Sequence, residues 1–462
     1  MQLSDAAQIK QFWTACQRRL FPVLAEELGV LTEKHQALAA AFCVLDLADA
    51  DAGHSGATGR PPHDRLAILR AFLAKSRLNL STTRQLLDRL HTDATLRRLC
   101  GWERAQALPS ESVFSRAFAQ WAGSGMLEQV QEKLVAQVYQ DRLVGHVIRD
   151  ASAIPAREKP AKKQPAPVQQ KRRRGRPRKD HPPQLKSRLE RQPSMSIPEM
   201  VADLPKVCDR GVKIGSDGKK QRWTGYKLHW DISDNLIPLS CLVTSASLHD
   251  SQAALPLAAT TAQRVTACYE LMDKGYHSEA LLSKLAVNGA FWTVQVADSV
   301  DAAARREVQV PCGARMLSQL QPAGGGWPVL CSNTPKQGTW GPSGPFWSRQ
   351  PPLESAACCP NRFVQKPNLD NSDSEDIQKY CEGLGRVVLI PDVERQGKPA
   401  LPMAPAAKKR YELRGMIEQL TARLKDEFGG RHIRVRGWRK VLAHLMLGVL
   451  MLSVDQLLRL VT

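Results

Sequence analysis

Along the first 145 residues the apolar side chains recur at intervals of three and four, the spacing of helices that bury one face. Amphipathic helices are predicted over Ile9–Leu20, Pro62–Ser76 and Ser81–Leu90. Another starts within Leu108-Pro109-Ser110-Glu111, where Pro and Ser suit a helix start and an acid suits the first turn. Ser81–Leu90 and Glu111–Trp121 are candidates for a helix-turn-helix-like unit, the blander reading being a packing module. From Gly145 the period falls to two. His146–Asp150 reads as a short buried strand ending in an acid, and Thr224–Ile232 with Leu236–Thr244 reads as a hairpin about Ser233-Asp234-Asn235. A helix is predicted from His249-Asp250 to about Arg264, a strand over Val265–Met272 ending at Asp273, a helix from Ser278 and a strand over Phe291–Val296. Neither period holds between Asn333 and Ser374, where Gly, Pro, Ser and Asn dominate. Arg386–Pro391 reads as a strand, and Lys408–Asp426 and Arg439–Leu460 as helices. The pattern is that of an α/β layer with a mixed sheet, preceded by an all-α N-terminal domain.

Charge adds a partner. Lys and Arg number 65 against 45 Asp and Glu, a net charge of +20, which answers a polyanion. Residues 157–192 hold 14 basic and 3 acidic side chains with hardly any large apolar ones, so this segment is expected to be a flexible basic linker. Within it, Arg174-Gly175-Arg176-Pro177 resembles an AT-hook, in which an extended Arg-Gly-Arg-Pro lies in the narrow minor groove of A·T-rich DNA. The alternative is a generic tether held to phosphates by charge. A second basic concentration, 11 against 4, falls at 405–440 in a helical setting.

Several classes are excluded. The N-terminus lacks the basic-then-apolar layout of a secretory signal. The longest apolar run, Val441 to Val454, is about 14 residues against the roughly 20 a bilayer needs, so no membrane role is expected. The 11 cysteines show no CxxC pair, and those around the irregular region (Cys312, Cys331, Cys358, Cys359 and Cys381) match no zinc spacing; a cytoplasmic protein with reduced thiols is expected.

Three acids stand out by placement. Asp150 and Asp273 end strands, where α/β sheets build their sites, and an acid lies on the helix at 411–427. Converging carboxylates repel unless cations lie between them, and Mg²⁺ suits oxygen ligands. A strand-end Asp is also a common cap. On the later helix, Tyr411, Arg414, Glu418 and Lys425 stand at offsets of 3, 4 and 7, one helix face, beside an apolar stripe of Leu413, Met416, Ile417, Leu420 and Leu424.

These residues resemble the bacterial insertion-sequence transposases of the DDE class. VIRDASAI is similar to the family's first-Asp strand, LMDKGYHS to its Asp-x-Gly-Tyr motif, and GATGRPPHDRLAILRAFLAKSRLNLSTTRQLL to its N-terminal helical domain. Tyr411, Arg414, Glu418 and Lys425 match the signature Tyr-x2-Arg-x3-Glu-x6-Lys. The resemblance implies an RNase H-like mixed sheet with flanking helices. It implies that Asp150, Asp273 and Glu418 hold a pair of Mg²⁺ ions, with Mn²⁺ as a substitute, and that Tyr411, Arg414 and Lys425 contact phosphates. The implied partners are double-stranded DNA, both transposon ends and target, and a second copy of the chain. The expected division is 1–144 helical DNA-binding domain, 145–156 first catalytic strand, 157–205 basic linker, 206–299 catalytic domain continued, 300–400 a partly disordered insertion, and 401–462 C-terminal catalytic helices. Two rivals stand beside this reading: a decayed copy that only binds DNA, and an RNase H-like nuclease without strand transfer.

Overall fold

The computed structural model describes residues 6–47, 63–140, 143–161, 187–214, 219–273, 276, 409 and 412–461, and the backbone of strands at 291–294, 307–309, 315–318, 326–331 and 387–391. Arg174, Gly175, Arg176, Pro177, Tyr411, the helix expected from Ser278 and the stretch Asn333–Ser374 lie outside the described residues. The chain divides into two units: Met1–Val144 with Asp150–Thr266 and Met416–Thr462, and Gly145–Arg149 with Ala267–Gly415.

The first unit opens with helices α1 (Ala6–Ala15), α2 (Phe21–Leu28), α3 (Glu33–Val44), α4 (Arg65–Arg77), α5 (Thr83–Thr92), α6 (Ala94–Cys100), α7 (Glu111–Ser124) and α8 (Met126–Tyr139). Their starts are written locally. The Asp64 carboxylate accepts from the Ala67 amide at 3.0 Å, and Thr82 with Gln85 forms a capping box. Ser110 does stand at the N-cap of α7, but its hydroxyl meets Ser112 at 2.9 Å instead of capping the helix. Helix α6 intervenes between α5 and α7, so the pair proposed as a helix-turn-helix has a third helix between its members.

Strand β1 (Leu143–Pro155) runs on past Asp150, which corrects the expectation that this acid ends its strand. The pairing continues because β3 closes on it: the Ala156 amide donates to the Thr224 carbonyl at 2.9 Å. A Cβ on Gly225 (φ +152°) would fall 2.2 Å from the Ile154 carbonyl oxygen, so only glycine allows this approach. Helices α9 (Arg188–Arg191) and α10 (Ile197–Asp203) follow, inside what was expected to be linker. Capping boxes at Ser187–Glu190 and Ser196–Glu199 start them, and Arg188 and Arg191 both pair with Asp203. Strands β2 (Asp209–Ile214), β3 (Lys220–Ser233) and β4 (Pro238–Ser245) form an antiparallel set, in which β3 lies between β2 and β1, its first half pairing with β2 and its second half with β4. Helix α11 (Ser251–Arg264) packs on β3 and β4.

The unit closes with helices α12 (Gly415–Asp426) and α13 (Trp438–Arg459). α13 is apolar on every face and packs on α3, α4, α7, α8 and β4. This is why the N-terminal helices and the C-terminal residues fall into one unit instead of the separate domains expected at 1–144 and 401–462. Gly448 lets α13 close on the end of α12, since a Cβ there would meet the Phe428 carbonyl at 2.7 Å. At 22 residues α13 is long and apolar enough to cross a bilayer, which corrects the count of about 14. Its burial separates it from a span: 94% of the apolar window is covered by the rest of the protein. Asp455 on α13 forms an ion pair with Arg77 of α4 at 3.3 Å and accepts from Arg459 at 2.8 Å and from Arg423 of α12.

In the second unit, Gly145–Arg149 of β1 neighbours β5 (Thr266–Met272), and β5 pairs in parallel with β6 (Phe291–Val294). With the antiparallel hairpin, this is the mixed α/β arrangement expected. Strands β7 (Glu307–Gln309), β8 (Arg315–Ser318), β9 (Gly326–Cys331) and β10 (Val387–Pro391) make a separate antiparallel sheet in the order β10-β9-β8-β7. The sequence reading assigned only β10 there, because the other runs are short and interleaved with Gly and Pro.

Candidate active site

Val147, Ile148 and Arg149 are fully buried on β1. Arg149 Nη1 donates to Glu270 Oε2 of β5 at 2.8 Å and approaches Met272 Sδ at 3.4 Å. Successive strand residues point to opposite faces, so this ion pair takes one face of β1 and Asp150, the next residue, is directed to the other. The same alternation directs Asp273, which follows Met272 at the end of β5, away from the pair. The turn beyond it is closed by the Tyr276 amide donating to the Asp273 carbonyl at 2.9 Å, with Tyr276 buried.

Asp150 shares its strand face with Ser152, two residues on. Lys425 Nζ of α12 donates to Ser152 Oγ at 2.7 Å. The Lys425 ammonium is held below its ordinary pKa by burial, then by the charges of Arg431 and Lys213, while Asp426 and Asp150 oppose the shift. Asp150 therefore lies within electrostatic reach of Lys425. Glu418 is exposed, seven residues before Lys425 and on the same helix face, while Ile417, Leu420 and Leu424 form the buried stripe. Leu413 and Met416, expected in that stripe, are only half-buried.

Helix α12 begins at Gly415, Leu413 and Arg414 stand in a turn ahead of it, and Glu412 before that turn is again helical. Of the four signature positions, Glu418 and Lys425 stand within α12. Among the described residues, no group of three or more His, Cys, Asp or Glu side chains is gathered closely enough to hold a metal ion. The donor chemistry fits a hard divalent cation, since Asp150, Asp273 and Glu418 offer carboxylate oxygens only.

Two features escaped the sequence reading. Ser152 was passed over because a lone serine two residues beyond an acid carries no motif. Arg149–Glu270 joins residues 121 positions apart, and no local spacing signals such a pair.

Comparison with known families is decisive for the class. Residues 27–120 match a transposase domain family (DUF772), and residues 145–319 match the transposase DDE domain. The chain belongs to the DDE-class insertion-sequence transposases. No curated protein matches the transposase. Asp150 and Asp273 fall within the matched catalytic segment, which stops short of α12 and its Glu418. The transposase is thus a DNA-acting enzyme with a helical region followed by an α/β catalytic region.

Proposed function

We propose that the transposase binds the terminal inverted repeats of its own element and catalyses Mg²⁺-dependent strand cleavage and strand transfer with Asp150, Asp273 and Glu418. The observation that carries this reading is the 2.7 Å bond from Lys425 to Ser152, which sets the Glu418–Lys425 face of α12 against the strand of Asp150. Asp150, Asp273 and Glu418 would hold the cations, with Mn²⁺ as a substitute. When bound, a pair of such ions activates the attacking oxygen and stabilises the leaving one in phosphodiester displacement. Lys425, Arg414 and Tyr411 place cationic and hydrogen-bonding groups for DNA phosphates, Arg as a planar fork and Lys as a point charge.

DNA is held elsewhere as well. The helices of residues 1–144 bind the ends, and Arg174-Gly175-Arg176-Pro177 tracks the minor groove. Two copies act together so that both ends are held, in the cytoplasm of a bacterial host.

The test is excision of a marker flanked by the element's native ends, with wild-type protein or Glu418→Gln, alongside end binding in a gel shift. Wild type alone should lose the donor site, with end binding equal in both. Strong cleavage by Glu418→Gln would move the third acid elsewhere, to Glu412 or Glu427. No cleavage by either, with binding retained, would give the DNA-binding reading instead.

A further inference from the structure

Beyond Pro155 the chain continues as Ala156-Arg157-Glu158-Lys159, and these residues with Arg436 line an open cleft in the first unit. Glu158 is turned into the protein. The Tyr226 hydroxyl donates to it at 2.5 Å and the Gly437 amide reaches both its oxygens at 3.3 Å, so it fastens the α12–α13 connection to the end of β1. Arg436 Nε donates to the Arg157 carbonyl at 3.3 Å, and Arg157, Lys159 and Arg436 are exposed. Alongside, the Cys208 carbonyl accepts from the Ala161 amide at 2.9 Å, which brings Lys206 to the same border. Lys206 Nζ and the Arg439 guanidinium lie 4.7 and 5.5 Å from the ring centre of Trp438.

The pairing of these cations sets them apart. Elsewhere in the unit Arg77, Arg423 and Arg459 converge on Asp455, and Arg188 and Arg191 on Asp203. Arg157, Lys159, Lys206, Arg436 and Arg439 make no ion pair with a carboxylate among the described residues. Like charges held together cost Coulomb energy that an external polyanion relieves. Burial, and after it the charge of Arg439, hold the Lys206 ammonium below its ordinary pKa.

We propose that this cleft is a second DNA site, binding the phosphate backbone of the duplex that enters the active site. The inference rests on the reading above, that duplex DNA is cut beside Asp150. Arg157 lies seven residues beyond Asp150 on a chain that is strand as far as Pro155. At roughly 3.3 Å per residue this is at most about 23 Å, or about seven base pairs at roughly 3.4 Å each. The cleft therefore meets phosphates up to about seven base pairs from the cut.

The experiment uses the full-length protein, a duplex carrying the native end and a random duplex of equal length. Affinity is measured by fluorescence anisotropy across a salt series, with thermal melting as a check on folding. Arg157→Gln/Arg436→Gln should reduce the slope of log affinity against log salt by about 1.8, since each phosphate contact contributes about 0.9. The loss should be equal on both duplexes, because phosphate contacts carry no sequence. Arg157→Lys/Arg436→Lys should restore the slope. An unchanged slope in the Gln pair overturns the proposal, and so does a loss that the Lys pair fails to restore. If wild type binds neither duplex, the reading of the whole protein falls, and the cleft with it.

Discussion

Glu270→Gln removes the carboxylate facing Arg149 while keeping the shape of the side chain. The pair is inside the protein, with the Arg149 side chain 0% and that of Glu270 7% exposed. An exposed pair would be worth about 0–1 kcal/mol. Removing one partner of a buried pair costs about 3–5 kcal/mol, because the remaining charge loses that carboxylate in a poorly solvated place. Gln still offers an oxygen to Arg149, which sets the expectation at the lower end, about 3 kcal/mol. A chain of two units need not unfold in one step, so the cost should be read locally. Hydrogen–deuterium exchange of peptides covering Thr266–Met272 reports the opening of β5 directly. With roughly 1.4 kcal/mol per decade, protection there should fall by about two powers of ten. Arg149→Met/Glu270→Met, which replaces the pair by apolar groups, should recover most of that loss. If Glu270→Gln leaves protection within about threefold of wild type, the pair does not hold β5.

Lys75 of α4 is 7% exposed, and burial draws its pKa from 10.5 down to about 8. The unfolded chain keeps the proton more tightly, so the penalty on folding is full below about pH 8 and gone above about pH 10.5. Lys75→Met should therefore stabilise the protein by about 3 kcal/mol at pH 7, with an advantage that vanishes by pH 10.5, read from urea unfolding at both pH values; an equal advantage at both would refute the cause. Gly225→Ala should cost about 2–5 kcal/mol, since it combines an unfavourable backbone with a Cβ against Ile154, and deuterium exchange in β3 should rise; a cost below about 1 kcal/mol would mean the strands part easily.

The elements that were legible in the sequence are those whose pattern and contacts agree. The β3–β4 hairpin, α11, β5 and α13 lie within a few residues of their expected bounds, because each alternates or repeats over a long apolar stretch. The alternation stopped at Asp150, because Ala151-Ser152-Ala153 has weak strand propensity and is held by β3 across more than 60 residues of chain, and only the resemblance carried the first strand on to 156. Helices α9 and α10 carried a readable signal in Ser187–Glu190 and Ser196–Glu199, but it was outweighed by the composition of the adjoining basic segment. At the candidate site, Ser152 acquires meaning only when α12 brings Lys425 to it.

That contact also makes the role of Lys425 measurable apart from that of the acids. Asp150 lies inside a 13-residue strand, fixed by buried neighbours before it and by β3 after it, so removing the Ser152 hydroxyl should leave the acid where it is. It should instead act on Lys425. A hydrogen bond accepted from an ammonium favours the charged form, and Ser152→Ala withdraws it from a lysine already held low by burial, Arg431 and Lys213. The Lys425 pKa must fall further, so its share of DNA affinity should disappear at a lower pH than in wild type. End-duplex affinity measured from neutral to alkaline pH, relative to Lys425→Gln at each point, isolates that share. The Ser152→Ala curve should be displaced toward neutral pH and keep its plateau at lower pH, because the lysine is charged there in either protein. If the two curves superimpose, the hydroxyl does not tune Lys425. If the plateau itself falls, Ser152 positions the lysine for its phosphate and does more than set its charge.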